Sequence, residues 1–376
     1  MQVPFNKPLV LGTEAENISK VLESGKLAGN GGFTSDCHEV FKRELGFKSA
    51  FLTTSCTSAL ELSALLLQIV PGDEVIVPSY AFVTTANAFA SRGAKIVFCD
   101  SRADHPNIDE NAIEQLITPK TKAIVALHYG GVPCQMEAIL KVAKKHSIKV
   151  VEDNAQGIGS TINGLKAGGI GDFGAISFHE TKNVHCGEGG AFMVNNPEFV
   201  DRAAVIWEMG TNRAEYRKGN VPSYGWVDIG SSFYPSELNA AFLATQLEQL
   251  GLVNERRLKL WQTYYEELSI LRDLGSFSLP EIPQGVEHNA HTFFLITKSN
   301  KERTQLIDHL SKNGISASFH FQSLHKSSYF IDKHDGRGLP NADRFCSCLV
   351  RLPLYHTLST DKQKHVISLV RSFYEK

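Results

Sequence analysis

The sequence lacks an excess of either charge, and it lacks long uninterrupted apolar runs. Its 376 residues include 38 Lys and Arg against 40 Asp and Glu, so the net charge is only −2. Proteins that bind nucleic acid place clustered positive charge against the phosphate backbone, and we therefore expect no nucleic-acid partner. No run approaches the roughly 20 apolar residues of a membrane span, and the first residues carry neither a basic nor an apolar region. We expect a cytoplasmic protein without a membrane partner.

Cysteine is present, but its spacing is not typical of a metal or redox site. The seven cysteines are scattered, and none forms a C-x-x-C pair. His179 begins like the zinc-protease motif H-E-x-x-H, but Asn183 takes the place of the second histidine. We expect reduced, mostly buried thiols and no metal site.

A glycine-rich stretch at 169–174 matches the letters of the dinucleotide motif G-x-G-x-x-G. That motif must follow a strand and open a helix. Here it follows the turn-like NGLKAGG and opens the strand-like AISFH. We therefore interpret it as a glycine-rich loop and not as a NAD site.

The composition, 42% hydrophobic and 21% charged, is typical of a folded globular protein. Along the first two thirds, short apolar runs alternate with segments of helical periodicity. The predicted strands are AFLT, EVIVPS, KIVFCD, AIVALH, KVVED, AISFH and GGAFMVN, and helices are predicted through TSALELSALLLQ and near 84–91, 109–116 and 136–146. Strands that alternate with helices indicate a parallel sheet that is buried on both faces. We predict an α/β fold with a mostly parallel central sheet.

The pattern changes after about residue 187. A helix is predicted over 197–207, and a long helical stretch over 235–271 contains few residues that break helices. Beyond it, HTFFLIT and ISASFHF read as strands between helices near 302–313 and 361–374. We predict a large domain over 1–250, whose N-terminal segment packs on the other domain, and a small α+β domain over 251–376.

Polar residues follow three of the predicted strands. Asp153 ends KVVED, and Lys182 comes just after AISFH. Ser55, Cys56 and Thr57 lie where a strand passes into a helix, a place where free N–H groups and hydroxyls suit a phosphate. Because ligands of open α/β sheets bind at the carboxyl ends of the strands, we expect these residues to share one site.

A phosphate cradle, an aspartate and a lysine on one sheet edge match the needs of pyridoxal phosphate (PLP). The lysine amine would bond to the cofactor aldehyde, and the aspartate would keep the pyridine nitrogen protonated. Phe82, which follows the strand EVIV, is placed where its ring could stack on the cofactor. Each residue alone has an ordinary structural reading as a solvated lysine, a helix cap or a core ring. Only their combination favours PLP.

Five segments resemble those of the DegT/DnrJ/EryC/StrS sugar aminotransferase family, whose members are PLP enzymes of fold type I. The segments are TSCTSAL, PSYAFVTTANA, VVEDNAQGIGS, SFHETKN with GEGGA, and FHFQSLH, and the resemblance extends to RLPLYHTLS near the C-terminus. FNKPLVLGTE, SGKLAGNGGFT, GTNR, KGN and DIGSS are most similar to members that make dTDP-4-amino-4,6-dideoxygalactose for surface glycans such as O-antigen and enterobacterial common antigen. The resemblance covers nearly the whole chain.

The resemblance implies a role for each cofactor residue. Lys182 is the lysine that bonds to PLP, and Asp153 is the partner of the pyridine nitrogen. Gln156 hydrogen-bonds the phenolic oxygen of the cofactor, and Phe82 stacks on its ring. The phosphate is held by a set from two strand ends: Ser55, Cys56, Thr57 and Ser177.

Two positions depart from the family pattern. Cys56 stands where the family usually has glycine, so its side chain must point away from the phosphate. Ser232 stands where a family asparagine reaches the phosphate of the neighbouring subunit, and a serine makes a shorter contact or none. The resemblance also implies a homodimer with active sites at its interface.

The implied reaction moves an amino group from L-glutamate to C4 of a dTDP-4-keto-6-deoxyhexose. Amination at C3, the gluco epimer and a PLP-dependent keto-sugar dehydratase are alternatives, although such dehydratases usually carry histidine at the position of Lys182. A regulatory protein that has lost its chemistry is disfavoured by the presence of both Lys182 and Asp153. Candidate substrate contacts are four basic residues: His179, Arg213, His320 and His325.

Overall fold

The computed structural model describes residues 1–375 of the chain. These residues form twelve strands, seven of which make up a central sheet, and a set of helices. The strands are β1 (Ala50–Thr53), β2 (Glu74–Pro78), β3 (Lys95–Cys99), β4 (Thr121–Leu127), β5 (Lys149–Asp153), β6 (Thr161–Ile162), β7 (Leu165–Lys166), β8 (Phe173–Ser177), β9 (Gly190–Val194), β10 (Val286–Glu287), β11 (Phe293–Ile296) and β12 (Leu349–Leu352). The helices are α1 (Glu14–Ser24), α2 (Gly32–Arg43), α3 (Cys56–Leu66), α4 (Val83–Ala90), α5 (Glu110–Ile113), α6 (Met136–His146), α7 (Val200–Trp207), α8 (Arg213–Arg217), α9 (Glu237–Glu248), α10 (Leu250–Asp273), α11 (Asn300–Lys312), α12 (Pro340–Cys348) and α13 (Thr360–Tyr374).

The central sheet is mostly parallel, as the alternation of strands and helices predicts. Its order is β1-β9-β8-β5-β4-β2-β3. Strands β3, β2, β4, β5 and β8 are parallel neighbours, whereas β9 pairs antiparallel with both β8 and β1. Val75 and Val77 of β2 pack in one apolar cluster with residues of α3 and α4, and Ile76 packs in another cluster with residues of α6. Both faces of the sheet are therefore buried.

Serine side chains begin several helices at the positions that local sequence favours. Ser55 accepts a hydrogen bond from the N–H of Ser58 at the start of α3, and Ser236 accepts one from Asn239 at the start of α9. Ser299 and Ser359 cap α11 and α13 in the same way. Such caps satisfy N–H groups that a helix leaves without partners, so these four helices start where the chain supplies an acceptor.

Two sequence predictions for the second half are wrong in detail. The stretch predicted as one helix over 235–271 is two helices, because Gln249 leaves the helical conformation with φ −102° and ψ 5°. The predicted strand ISASFHF forms only single bridges, at Ile315 and Ser318, and β11 pairs instead with β12. Phe321 has a φ of +56°, which ends any extended run there.

The N-terminal segment contacts the C-terminal part of the chain. Val3 forms a parallel bridge with Ile315, and both lie in an apolar cluster with residues of α10, α11, α13, β11 and β12. A domain boundary at residue 250 stays a prediction, since α10 begins there and its residues belong to more than one cluster. Within residues 1–375, no helix has the combination of length and apolarity that crossing a membrane requires.

Candidate active site

A cavity of about 930 Å³ lies at the carboxyl ends of the parallel strands. Its walls come from the β1–α3 junction, the ends of β5 and β8, the segment 318–322 and β12. Ten residues that the sequence singles out line it: Ser55, Cys56, Thr57, Phe82, Asp153, Gln156, Ser177, His179, Lys182 and His320. The fold thus brings together strand ends that are more than a hundred residues apart in sequence.

Asp153 is the last residue of β5, and its carboxylate is buried. The hydroxyl of Thr85 donates to Oδ2 at 2.6 Å, and the backbone N–H of Ala155 donates to Oδ1 at 3.2 Å. Burial raises the pKa of this carboxyl, while these hydrogen bonds and the charge of Lys182 oppose the rise. A cationic group bound beside it would favour the charged carboxylate.

Lys182 lies five positions after the end of β8, in a turn closed by its own N–H donating to the carbonyl of His179 at 2.9 Å. Its side chain is half-buried. Across the described chain, Nζ of Lys182 has no hydrogen bond and no ion pair. Burial lowers the pKa of this amine, so a larger share of it is neutral, and therefore nucleophilic, than for a lysine in water.

The N-terminus of α3 offers donors to an anion. The Ser55 hydroxyl accepts from the N–H of Ser58 at 3.0 Å, whereas the N–H groups of Cys56 and Thr57 have no partner within residues 1–375. Gly190 makes this arrangement possible, since a Cβ there would lie 2.3 Å from the carbonyl carbon of Ser55. Two free N–H groups at a helix N-terminus suit a phosphate.

The Cys56 side chain contacts Asp153. Its Sγ lies 3.9 Å from Oδ1 of that carboxylate. Burial and the neighbouring charge of Asp153 raise the pKa of the thiol well above its usual range. The side chain is therefore a neutral, weak donor next to the aspartate.

Gln156 and Phe82 present groups suited to a flat ring with an anionic oxygen. Oε1 of Gln156 accepts from the N–H of Gly130 at 2.6 Å, which leaves Nε2 as the donor available to the cavity. Phe82 caps α4, and 54% of its surface is exposed although its ring neighbours Phe321. A large ring left open to a cavity is available for stacking.

The two histidines of the cavity have different surroundings. His179 is partly exposed, with Nδ1 2.9 Å from the Thr181 hydroxyl and Nε2 3.5 Å from Glu188. Nδ1 of His320 lies 2.8 Å from the hydroxyl of Tyr129. Burial lowers the pKa of His320 well below its usual range, so its imidazole is neutral.

Three of the predicted residues do not line the cavity of this chain. Ser232 is exposed and forms a bridge with Glu208. The guanidinium of Arg213 lies over the ring of Tyr224, 4.7 Å from its centroid. The buried His325 has its Nδ1 2.7 Å from the hydroxyl of Ser79, so its ring is engaged in the protein interior.

The glycine-rich stretch is a loop over 169–172 and then enters β8, so it opens a strand and not a helix, as interpreted from the sequence. The N–H groups of Gly168, Ile170 and Gly171 all donate to the buried carboxylate of Glu152. Nε2 of His128 is 2.9 Å from the same carboxylate. The loop therefore joins β5, which ends at Asp153, to the start of β8.

Several groups of the site are not among the residues that the sequence predicts. Thr85 hydrogen-bonds Asp153, and Tyr129 hydrogen-bonds His320. Two arginines, Arg257 and Arg351, also line the cavity. Thr85 lies one turn after Phe82 on α4, a spacing that gives a usable signal. The sequence gives no such signal for Arg351, because a single arginine in an apolar run is typical of a strand residue that faces solvent.

The donor set fits PLP. The free N–H groups of α3 suit its phosphate, the unpaired amine of Lys182 suits its aldehyde, and the buried carboxylate of Asp153 suits its ring nitrogen. Each of these protein groups lacks a competing charged partner.

Comparison with known proteins agrees with this fit. The model of the DegT/DnrJ/EryC1/StrS aminotransferase family matches residues 10–371. The uncharacterized protein MJ1066 of Methanocaldococcus jannaschii is 31% identical over 379 residues, which cover 98% of this chain and 96% of the relative. The aminotransferase TlmJ of Streptoalloteichus hindustanus has a TM-score of 0.92 at 28% identity, with 100% and 99% of the two chains covered. Spr1654 of Streptococcus pneumoniae, described as a sugar aminotransferase and solved in a PLP-form, has a TM-score of 0.91 at 25% identity, with 100% and 99% of the two chains covered.

The family match spans nearly the whole chain, the fold is shared, and the cavity has the donors that PLP needs. The chain therefore belongs to the DegT/DnrJ/EryC1/StrS aminotransferase family and is an aminotransferase of PLP fold type I that uses PLP.

Proposed function

We propose that this enzyme moves an amino group from L-glutamate to C4 of a dTDP-4-keto-6-deoxyhexose and so makes dTDP-4-amino-4,6-dideoxygalactose for a bacterial surface glycan. The observation that carries the transaminase chemistry is the unpaired amine of Lys182 in one cavity with the buried carboxylate of Asp153. The choice of sugar is supported by the resemblance of the segments SGKLAGNGGFT, KGN and DIGSS.

The chain's own residues would hold PLP at three points. Phosphate binding is assigned to the N–H groups at the start of α3 with the hydroxyls of Ser55, Thr57 and Ser177. Asp153 would accept a hydrogen bond from the ring nitrogen, and Nε2 of Gln156 would donate to the phenolic oxygen. Bound PLP supplies an aldehyde that takes up an amino group and a ring that accepts electrons.

Lys182 is the proposed proton carrier. Its burial keeps a larger share of the amine neutral, which a general base needs near neutral pH. Nζ would take the proton from Cα of the amino donor. In the second half of the reaction it would deliver a proton to C4 of the keto sugar, the carbon that receives the amino group. Asp153 would keep its negative charge throughout and stabilise positive charge at the ring nitrogen.

The cavity suits a large anionic substrate. Its volume, about 930 Å³, lies at the upper end of the usual range for small-molecule sites. Lys182, Arg257 and Arg351 supply cations to its walls, whereas Asp153 and Glu188 are its acidic residues. A nucleotide sugar carries a diphosphate and an amino acid carries a carboxylate. The positive charge of the cavity walls therefore favours the binding of both substrates.

We also propose a homodimer whose partner chain completes the site. The segment after α8 exposes large aromatic and apolar side chains, including Trp226 at 85% and Tyr224 at 50%. Arg213 and Ser232, which lie outside the cavity of their own chain, belong to this region. Exposed apolar surface of this kind commonly marks an interface. We further propose a cytoplasmic location, which the seven free cysteines support.

The test is the structure of the product. Purified holoenzyme is incubated with L-glutamate and dTDP-4-keto-6-deoxyglucose, and the product is identified by NMR. The proposal predicts an axial amine at C4, as in the galacto sugar. An equatorial amine would assign the gluco epimer, amination of a 3-keto isomer would reject the C4 assignment, and the absence of any amino sugar would reject the substrate class.

A further inference from the structure

Arg351 is a half-buried cation that lines the cavity, and it has no acidic partner among the described residues. It lies on β12, and one of its terminal nitrogens donates to the carbonyl of Phe319 at 3.2 Å. Its guanidinium lies 4.5 Å from the ring centroid of Phe5. The Nε atom is buried and has no hydrogen-bond partner. An arginine in this state leaves most of its five donors for a ligand.

The second cavity arginine differs in this respect. Nε of Arg257 donates to the carbonyl of Ala290 at 3.1 Å, and a terminal nitrogen donates to that of His291 at 2.6 Å. These bonds fix the loop before β11 and use Nε and one terminal nitrogen of Arg257. Arg257 is anchored to the backbone at two nitrogens, whereas Arg351 makes one hydrogen bond among the described residues, so Arg351 keeps more donors for an anion.

The position of Arg351 favours one anion over another. Lys182 and Arg351 line the same cavity. Burial lowers the pKa of Lys182, and the positive charge of Arg351 contributes to that effect. In an amino acid the α-carboxylate and the reacting amine are bonded to the same carbon. In a hexose that reacts at C4, three ring bonds separate that carbon from C1, which bears the diphosphate. An anion-binding group near Lys182 is therefore closer to the α-carboxylate of an amino-acid donor than to the diphosphate of a nucleotide sugar.

We propose that Arg351 binds the α-carboxylate of the amino-acid donor through a two-pronged guanidinium contact. The inference deepens the proposed function, on which it rests for the presence of an amino-acid donor. It assigns to β12 the residue that selects α-amino acids over other amines. It also implies that groups other than Arg351 bind the diphosphate of the nucleotide sugar.

The experiment compares Arg351→Gln with Arg303→Gln. Arg303 is a matched control, because its Nε is also buried without a partner and its guanidinium also lies over an aromatic ring, that of Phe319, yet it does not line the cavity. Calorimetry measures binding to each holoenzyme of L-2-hydroxyglutarate, which keeps the α-carboxylate but has no amine to react, and of dTDP. Single-turnover absorbance changes measure the reaction with L-glutamate.

We expect Arg351→Gln to weaken L-2-hydroxyglutarate binding by about 10- to 100-fold, as for loss of a charge-assisted contact, and to raise the half-saturating concentration of L-glutamate similarly. Binding of dTDP stays within about twofold of the wild type. Arg303→Gln changes neither. Arg351→Lys keeps the charge without the planar fork and gives an intermediate value.

Several results would overturn the inference. Weakened dTDP binding with unchanged L-2-hydroxyglutarate binding would assign Arg351 to the diphosphate. Unchanged binding of both, or equal loss of both together with a lowered melting temperature, would make it structural. If the wild type rejects L-glutamate, the proposed donor is wrong, and the amino acid that it accepts from a panel carries the same comparison, since every donor has an α-carboxylate.

Discussion

Glu152→Gln is predicted to destabilise the strand ends that carry Asp153 and Lys182, although Glu152 does not line the cavity. Oε1 of Glu152 accepts from Ile170 and Gly171 at 2.7 and 2.6 Å. Oε2 accepts from Gly168 at 2.8 Å and lies 2.9 Å from Nε2 of His128. The N–H of Cys134 donates to Nδ1 of His128, so the ring proton is on Nε2 and donates to the carboxylate.

The magnitude follows from these four donors. Glutamine keeps one oxygen, and its NH2 group cannot accept hydrogen bonds. Whichever way the amide is turned, two buried donors lose their acceptor, at about 1–3 kcal/mol each. We therefore expect the free energy of unfolding to fall by about 2–6 kcal/mol, a large part of the roughly 5–15 kcal/mol typical of folded proteins.

The assay is urea unfolding of the holoenzyme and the variant, followed by circular dichroism and by the absorbance of bound PLP. The variant should unfold at lower urea and bind PLP less tightly, because the loop between β5 and β8 is no longer held. Glu255→Gln is the control, since Glu255 is exposed and its surface ion pair with Lys259 contributes little to stability. Equal stability of Glu152→Gln and the wild type would refute the account of this network.

Asp153→Asn should keep part of its PLP but lower turnover by at least about 100-fold, since it loses the charge beside the ring nitrogen; turnover at the native rate would mean that Asp153 is misassigned. Arg213→Ala should raise KM for the nucleotide sugar and leave the half-reaction with L-glutamate near normal; equal effects on both halves, or none, would remove Arg213 from the site. Light scattering of active, PLP-loaded enzyme should give the mass of a dimer, and a monomer alone would reject the proposed interface.

The parallel part of the fold is predictable because its information is local. Each buried strand is a short apolar run, and Asp153 is predicted at the end of β5, where the structure has it. Strand direction is not encoded in such a run, so the antiparallel pairing of β9 could not be read from GGAFMV. The helices α1 and α2 are also missed, because they pack on α9 through contacts about two hundred residues away in sequence.

In the site, too, the residues marked by a local sequence pattern are predicted, and those whose role depends on tertiary packing are not. Lys182 and Ser55 are found because a strand end next to a polar residue is a local pattern. Arg351 is missed because its meaning depends on Phe5 and Phe319, which reach it only through the fold. His325 sits in a polar segment beside His320, yet it faces Ser79 in the interior, and only the packing separates the two histidines.

The central claim is that the amine of Lys182 holds PLP, and peptide mapping tests it most directly. Purified holoenzyme is treated with borohydride, digested and analysed by mass spectrometry. The account predicts one added pyridoxyl phosphate group, on the peptide that contains Lys182, and none in Lys182→Ala. A modified peptide that contains a different lysine, or the same modification in Lys182→Ala, would contradict it.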